Sequence, residues 1–249
     1  EAFIHYLDLG LYFNAFDEFV KRLNPNTDHK GIYSHIKLEN PLGKEGKIEN
    51  VLTVGQMIAV QIVKEPISTK GSRLTAEISL AGRNIVLLPF ADKVSISQKI
   101  SSKEEKKRLE LLVKNILPRN YGAIIRTAAE GKTASVLDAE LMGLVRKWEG
   151  SWKKLARSKT VQMLFSEYSK TTTVLRDLLN DSFTSINVND RDVYEEIRHY
   201  ISLISPEQEK IVHLYEGKSP IFDHFEVTRQ IKSSFGKVVP IKQGAYLVI

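Results

Sequence analysis

The chain has 249 residues, 42% of them apolar and 27% charged, with no cysteine and a formal net charge of +6. That length suits one large domain or two to three small ones, with enough apolar residues for buried cores. The lack of cysteine excludes disulfides and thiolate metal sites and fits a reducing, cytoplasmic setting, and no apolar run approaches membrane-spanning length. A sequence pI of about 9.3 favours polyanion partners such as RNA, DNA or acidic surfaces, although the positive charge is spread along the chain. Gly10 to Val20 is too broken by polar residues to be a signal peptide.

In chain order, Glu1 to Leu7 reads as a strand and Phe16 to Leu23 as a short helix. Asn24 to Lys47, polar and rich in Gly, Pro and Asn, reads as a long loop. Val54 to Val63 alternates at strand period, which together with the preceding loop suits a small antiparallel barrel of the OB type. Lys64 to Gly71 is a loop with two lysines. Leu74 to Leu80 and Asn84 to Pro89 are expected strands joined through Gly82, and Val94 to Ile100 a third. Ser101 or Ser102 is placed to cap a helix that runs to Leu117, before Pro118.

A strand carrying Arg126 and Thr127 follows, then a long amphipathic helix from Ser135 to about Lys159. Trp148 and Trp152, four apart, are expected to anchor that helix to the domain, with a solvated basic face opposite. Beyond Thr172 the pattern is helix-dominated. Val174 to Leu179 is helical, Ser185 to Asn189 is a short strand, and Asp190 caps a helix through Ser205. Pro206 starts a shorter helix, Val227 to Phe235 forms another, and Val238 to Ile241 with Ala245 to Ile249 suits a hairpin. Both ends of the chain fall within β-like runs, so the chain is expected to be excised from a longer protein, with catalytic residues outside it.

The segment Ile124 to Lys132, IIRTAAEGK, carries the most chemistry. An apolar run delivers an Arg and a Thr together, then enters a small Gly-containing loop ending in Lys132. The planar donor fork of Arg fits a phosphate, and Thr adds a hydroxyl beside it. Free N–H groups of the loop would complete a terminal-phosphate pocket. The competing reading is an edge-strand Arg in a surface ion pair, and on local chemistry alone that reading is preferred. Elsewhere the six His residues have no metal-ligand spacing, and there is no phosphate-binding glycine loop or nucleophile elbow. The acidic cluster of Asp190, Asp192, Glu195 and Glu196 is accounted for by a helix start. Binding, rather than chemistry, is what these residues support.

Several segments, in collinear order, resemble the ribonuclease E/G family of bacterial endoribonucleases. They are Ala2-Phe-Ile4, Val51-Leu-Thr-Val-Gly-Gln56, Lys70-Gly-Ser-Arg-Leu-Thr75, Ile78-Ser-Leu-Ala-Gly82 and Ile124-Ile-Arg-Thr127 with Gly131-Lys132. Further along are Leu214-Tyr-Glu-Gly217, Pro220-Ile-Phe222 and Gly244-Ala-Tyr-Leu-Val-Ile249. The style resembles the ribonuclease G-like members of Bacteroidetes.

The resemblance implies a multidomain α+β chain. Residues 1–71 would be a partial S1 domain, an OB-type β-barrel that holds single-stranded RNA, without its N-terminal part. Residues 72–171 would be an α+β 5′-sensor domain, and 172–249 the larger part of an RNase H-like α/β domain with a structural role. It implies that Phe3 stacks on RNA and Lys70 contacts it. It also implies that Gly82, Val86, Arg126 and Thr127 form a pocket for a 5′-monophosphate, and in that light the pocket displaces the ion-pair reading of Arg126.

The family's catalytic machinery, two Asp residues binding Mg²⁺ with a supporting Asn in a DNase I-like domain, would begin just after this chain. A zinc-linking Cys motif and a small domain that assembles oligomers would lie further on. The expected parent is thus a cytoplasmic, Mg²⁺-dependent endoribonuclease of mRNA decay and rRNA processing, acting on single-stranded RNA with a 5′-monophosphate. The chain alone is expected to bind RNA and cut nothing, with no metal of its own. A non-catalytic S1-type RNA-binding module and a purely structural basic protein are the competing functions.

Overall fold

The computed structural model describes residues 1–166, 169–180, 182–240 and 244–248. It is a mixed α+β structure that divides into two compact units, Glu1–Glu167 and Tyr168–Ile249.

The first unit opens with a two-residue strand, β1 (Ala2–Phe3), and a 3₁₀ turn at Tyr6–Leu9. The expected strand over Glu1 to Leu7 is therefore shortened. The cause is Asp8, which is pulled back onto the sheet by a two-pronged pair with Arg73, Nε to Oδ2 at 3.0 Å and Nη2 to Oδ1 at 2.9 Å. That pair, led by its hydrogen bonds, holds the Asp8 carboxyl below the usual carboxylate range. Helices α1 (Phe13–Arg22) and α2 (His29–His35) follow. The second lies inside the segment expected to be a loop. It forms because Tyr33 is buried and donates its hydroxyl to Asn120 O at 2.8 Å, a long-range anchor that local composition does not show.

Strands β2 (Gln61–Lys64) and β3 (Ser72–Thr75) complete a three-stranded sheet of order β1-β3-β2, in which β1 runs parallel to β3 and β2 antiparallel. The expected strand from Val54 survives only in its last residues. Gly55 adopts φ +83° and Gln56 donates its side-chain amide to Asp17, so the chain turns there instead of extending. No sheet among the described residues closes into a barrel.

Next come β4 (Leu80–Ala81), β5 (Ile85–Pro89), β6 (Val94–Ile96), α3 (Lys103–Ile116), β7 (Tyr121–Ile125) and α4 (Ala134–Arg157). Ser102 caps α3 by accepting from Glu105 N, as the sequence predicts. The strands form a sheet of order β4-β5-β7-β6. Along β5 the side chains alternate: Ile85, Leu87 and Pro89 are buried, Val86 and Leu88 half-buried, as a strand covered on one face requires. Helix α3 lies against β6 and β7, and α4 against β4 and β5.

Trp148 and Trp152, 1% and 2% exposed, anchor α4 as expected. Trp152 stacks on Tyr33 and meets Phe19 edge-on, and Phe16 and Phe19 contact Phe90. One continuous core thus joins α1 and α2 to the four-stranded sheet. Phe13 of α1 packs instead with Leu9 and Ala76 in a separate small cluster.

The second unit contains α5 (Lys170–Leu178), β8 (Ile186–Val188), α6 (Arg191–Ile204), a 3₁₀ turn at Pro206–Ile211 and β9 (Val212–Leu214). Asp190 caps α6 by accepting from Val193 N at 2.9 Å, as expected. Strands β8 and β9 pair in parallel, so β8, α6 and β9 make a βαβ unit over a small core of Leu175, Leu179, Val188, Ile197, Tyr200, Ile201 and Val212. Helices α7 (Ile221–His224) and α8 (Val227–Ser234) lead to β10 (Val238–Pro240), which pairs antiparallel with β11 (Tyr246–Val248). This is the predicted hairpin; Ile241 and Ile249, included in that prediction, lie outside the described residues. No helix among the described residues is long and apolar enough to cross a membrane.

Candidate nucleic-acid interface

Four strand ends meet at one end of the β4-β5-β7-β6 sheet. Strand β4 ends at Ala81, β5 begins at Ile85, β7 ends at Ile125 and β6 ends at Ile96, with Ile85 and Ile96 both paired to Ile125. The residues just past those ends include Gly82, Asn84, Ser97, Arg126 and Thr127, so the sheet itself brings most of the expected phosphate-pocket residues together.

Arg126 lies one residue beyond β7, where it opens a 3₁₀ turn over Thr127–Ala129. Its backbone N–H donates to Asn84 O at 2.8 Å, and its Nη1 donates to Gly82 O at 3.0 Å. The side chain is half-buried, and Thr127 is exposed. Gly82 closes its own turn by donating N–H to Ile85 O at 2.8 Å. A Cβ on Gly82 would stand 2.3 Å from Glu140 Oε1 and 2.8 Å from Ile85 O, so only glycine fits this approach. Glu140, from α4, takes the Asn84 backbone N–H at 3.0 Å and its Nδ2 at 2.8 Å. The carboxylate therefore fixes the turn whose two carbonyls hold Arg126.

Val86 is paired with Ala81 and Ile124. Ile124 is 38% exposed between buried neighbours, so Val86 and Ile124 share the sheet face opposite α3 and α4. On the same face, Ser95 is paired with Ile124 and exposed. At the open end, Thr127 Oγ1 lies 2.9 Å from Ser97 Oγ.

The loop after Arg126 leaves fewer N–H groups available than the sequence suggests. Ala129, Glu130 and Lys132 donate their N–H groups to Arg126, Thr127 and Ala129, and Gly131 donates to Glu105 Oε1 at 2.9 Å. A tight turn and a carboxylate from α3 thus use these four N–H groups. Glu105 also receives a two-pronged bond from Arg108, which in turn donates to Lys132 O at 3.1 Å. Arg108, then the Gly131 N–H, hold the Glu105 carboxyl down to about 2.

Phe3 and Lys70 lie elsewhere, Phe3 on the three-stranded sheet and Lys70 in the connection between β2 and β3. Phe3 is 41% exposed, edge-on to His5, and paired with Arg73. Lys70 is exposed. A Cβ on Gly71 would stand 2.2 Å from Glu1 O, so the Lys70-Gly71 corner runs directly against the chain entering β1. An aromatic ring and a cation thus share one region of the unit. Among the described residues no group of three or more His, Asp or Glu is placed to hold a metal ion.

A family model described as "Ribonuclease E/G family" matches residues 79–249. The chain belongs to the ribonuclease E/G family. It is 36% identical over 202 residues to "Ribonuclease G" of Escherichia coli (strain K12), covering 81% of this chain and 41% of that protein. "Ribonuclease G" of Haemophilus influenzae is 34% identical over 206 residues, covering 83% and 42%. "Ribonuclease E/G-like protein" of Pyropia yezoensis is 30% identical over 257 residues, covering 98% of this chain and 50% of its own length. This ribonuclease E/G family chain therefore spans about half the length, or less, of these relatives.

Asn84, Glu140 and Ser97, which build the sheet-end site, were not singled out from sequence. Asn84 follows Gly82 in a turn-forming stretch, which was a signal. Glu140 sits among the polar positions of an amphipathic helix and offered none.

Proposed function

We propose that this chain is the RNA-binding and 5′-monophosphate-sensing part of a bacterial endoribonuclease that cleaves single-stranded RNA in mRNA decay and rRNA processing. The observation that carries the proposal is the convergence of Gly82, Arg126 and Thr127, next to Val86, at one open sheet end in a ribonuclease E/G family chain. A terminal phosphate offers only acceptors at neutral pH. Arg126 meets it with a forked cation whose Nη1 is steadied by Gly82 O while its backbone N–H is held by Asn84 O, and the exposed Thr127 meets it with a hydroxyl. Val86 and Ile124 give an apolar floor on the same sheet for the nucleotide that follows.

In this reading residues 1–71 act as an S1 (OB-fold) domain, 72–171 as the 5′-sensor and 172–249 as an RNase H-like structural domain. Phe3 stacks on a base and Lys70 pairs with backbone phosphate, the sequence-tolerant contacts that single strands favour. Among the described residues no His, Asp and Glu are grouped so as to hold a catalytic metal. We assign Mg²⁺-dependent hydrolysis, any zinc site and oligomer assembly in the cytoplasmic parent to residues outside these 249.

The test uses two 3′-labelled single-stranded oligoribonucleotides that differ only in a 5′-phosphate or 5′-hydroxyl. Binding to the chain is expected to favour the phosphate. Arg126→Ala should remove about one charge-assisted contact, roughly a tenfold or larger fall in that ratio. An unchanged ratio in the variant refutes the pocket. Incubated with RNA and Mg²⁺, the purified chain is expected to cut nothing, and clear Mg²⁺-dependent cutting refutes the division of labour.

A further inference from the structure

Thr127 does not present its hydroxyl alone. Its Oγ1 lies 2.9 Å from Ser97 Oγ, and either oxygen can be the donor. Ser97 is held in turn. Its backbone N–H donates to Ile125 O at 2.8 Å, which fixes it across the end of β7. Its Oγ accepts a longer bond, 3.3 Å, from the Lys99 backbone N–H.

These bonds set a direction. A hydroxyl has one proton to give and two lone pairs to receive with. A phosphate dianion at the site can only accept, so it selects the arrangement in which Thr127 donates outward. Thr127 then receives the Ser97 proton, and Ser97 receives the Lys99 N–H. The result is a chain of donors pointing one way, Lys99 N–H to Ser97 O–H to Thr127 O–H to the anion, in which each bond polarises the next. The N–H groups of Ala129, Glu130, Gly131 and Lys132 are already used within the protein, which raises the weight carried by this hydroxyl pair.

We propose that Ser97 is a positioning residue of the terminal-phosphate site, orienting the Thr127 hydroxyl as a donor and so sharpening discrimination between 5′-phosphate and 5′-hydroxyl RNA. This rests on the sensor reading above. Ser97 acts through Thr127 and adds nothing once that hydroxyl is gone.

The experiment measures the ratio of affinities of the full 249-residue chain for the 5′-phosphate and 5′-hydroxyl oligoribonucleotides, with the variants Ser97→Ala, Ser97→Thr, Thr127→Val, Ser97→Ala with Thr127→Val, and Arg126→Ala. Urea midpoints confirm that each variant folds. The loss of one neutral hydrogen bond predicts that Ser97→Ala lowers the ratio about three- to tenfold. Affinity for 5′-hydroxyl RNA should be unchanged, Ser97→Thr should keep the wild-type ratio, and Ser97→Ala should have no further effect beside Thr127→Val. Three results overturn the proposal while leaving the sensor reading in place: a wild-type ratio in Ser97→Ala when Arg126→Ala loses it, an equal loss of affinity for both RNAs, or the same loss with and without the Thr127 hydroxyl. A wild-type ratio of one, or a ratio unaffected by Arg126→Ala, overturns the sensor reading and this proposal together.

Discussion

The two regions of the first unit proposed to meet RNA are built in opposite ways. At the sheet end, Arg126 is held by two carbonyls of one turn, that turn is tied by Glu140 to α4, and the sheet beneath rests on a core that includes Trp148 and Trp152. At the N-terminal sheet, Phe3 belongs to a two-residue edge strand and Lys70 to an exposed corner. The difference matches the tasks proposed for them. Telling a phosphate from a hydroxyl depends on donors fixed at one point, because a misplaced donor loses its bond steeply with distance and angle. Holding any sequence of a single strand needs only a ring and a charge within reach of it. The denser network of ties stands where discrimination is proposed.

That contrast is most open to attack through the core. Trp152→Ala removes a 2%-exposed ring that stacks on Tyr33 and meets Phe19. A buried Trp truncation costs about 3–5 kcal/mol, read as a lower urea midpoint for the first unit. Because α4 carries Glu140, the 5′-phosphate preference should fall with it, even though Trp152 is remote from the proposed ligand. A variant that loses stability but keeps the full preference would show that the site is held locally and not by the core.

What could be read from sequence follows the same division. The caps Ser102 and Asp190, the α4 stripe with its two Trp residues and the closing hairpin are local or periodic features, and the structure has them. Helix α2 depends on a hydrogen bond between Tyr33 and Asn120, and the bend at Gly55 on a bond from Gln56 to Asp17, contacts that periodicity does not encode. The same holds at the site. Arg126 and Thr127 are adjacent in the chain and legible as a pair. Ser97 and Glu140 reach them only through strand pairing and helix packing. Fewer loop N–H groups are available than expected because the turn takes three and Glu105, 26 residues before Gly131, takes a fourth.

The N-terminal patch gives the next largest effect. Phe3→Ala removes a 41%-exposed ring with little packing, so stability should stay within about 0.5 kcal/mol of wild type. If Phe3 stacks on a base, affinity should fall by about 1–3 kcal/mol. The fall should be the same for 5′-phosphate and 5′-hydroxyl RNA, leaving their ratio untouched. Fluorescence anisotropy at fixed salt measures both. A change in the ratio would mean that the two regions are coupled, and the contrast between them would have to be redrawn.

The smallest effect concerns the loop that follows Arg126. Its tie to α3 is the Glu105 carboxylate, which Arg108 and the Gly131 N–H hold down to about 2. In the unfolded chain the same group titrates near 4.3. A group with a depressed folded value adds stability that is complete above its unfolded value and is lost as pH falls toward the folded one. The contribution of Glu105 should therefore be constant from pH 7 to about pH 5 and decline from there toward pH 2. Comparing urea midpoints of the wild type and Glu105→Gln across this range isolates it, because other carboxylates titrate in both proteins. The gap between the two curves should be widest above pH 5 and close on acidification. A gap that widens as pH falls would mean that Glu105 is not ionised against Arg108 in the folded protein. The loop beside the phosphate site would then be held by its own turn and not by α3.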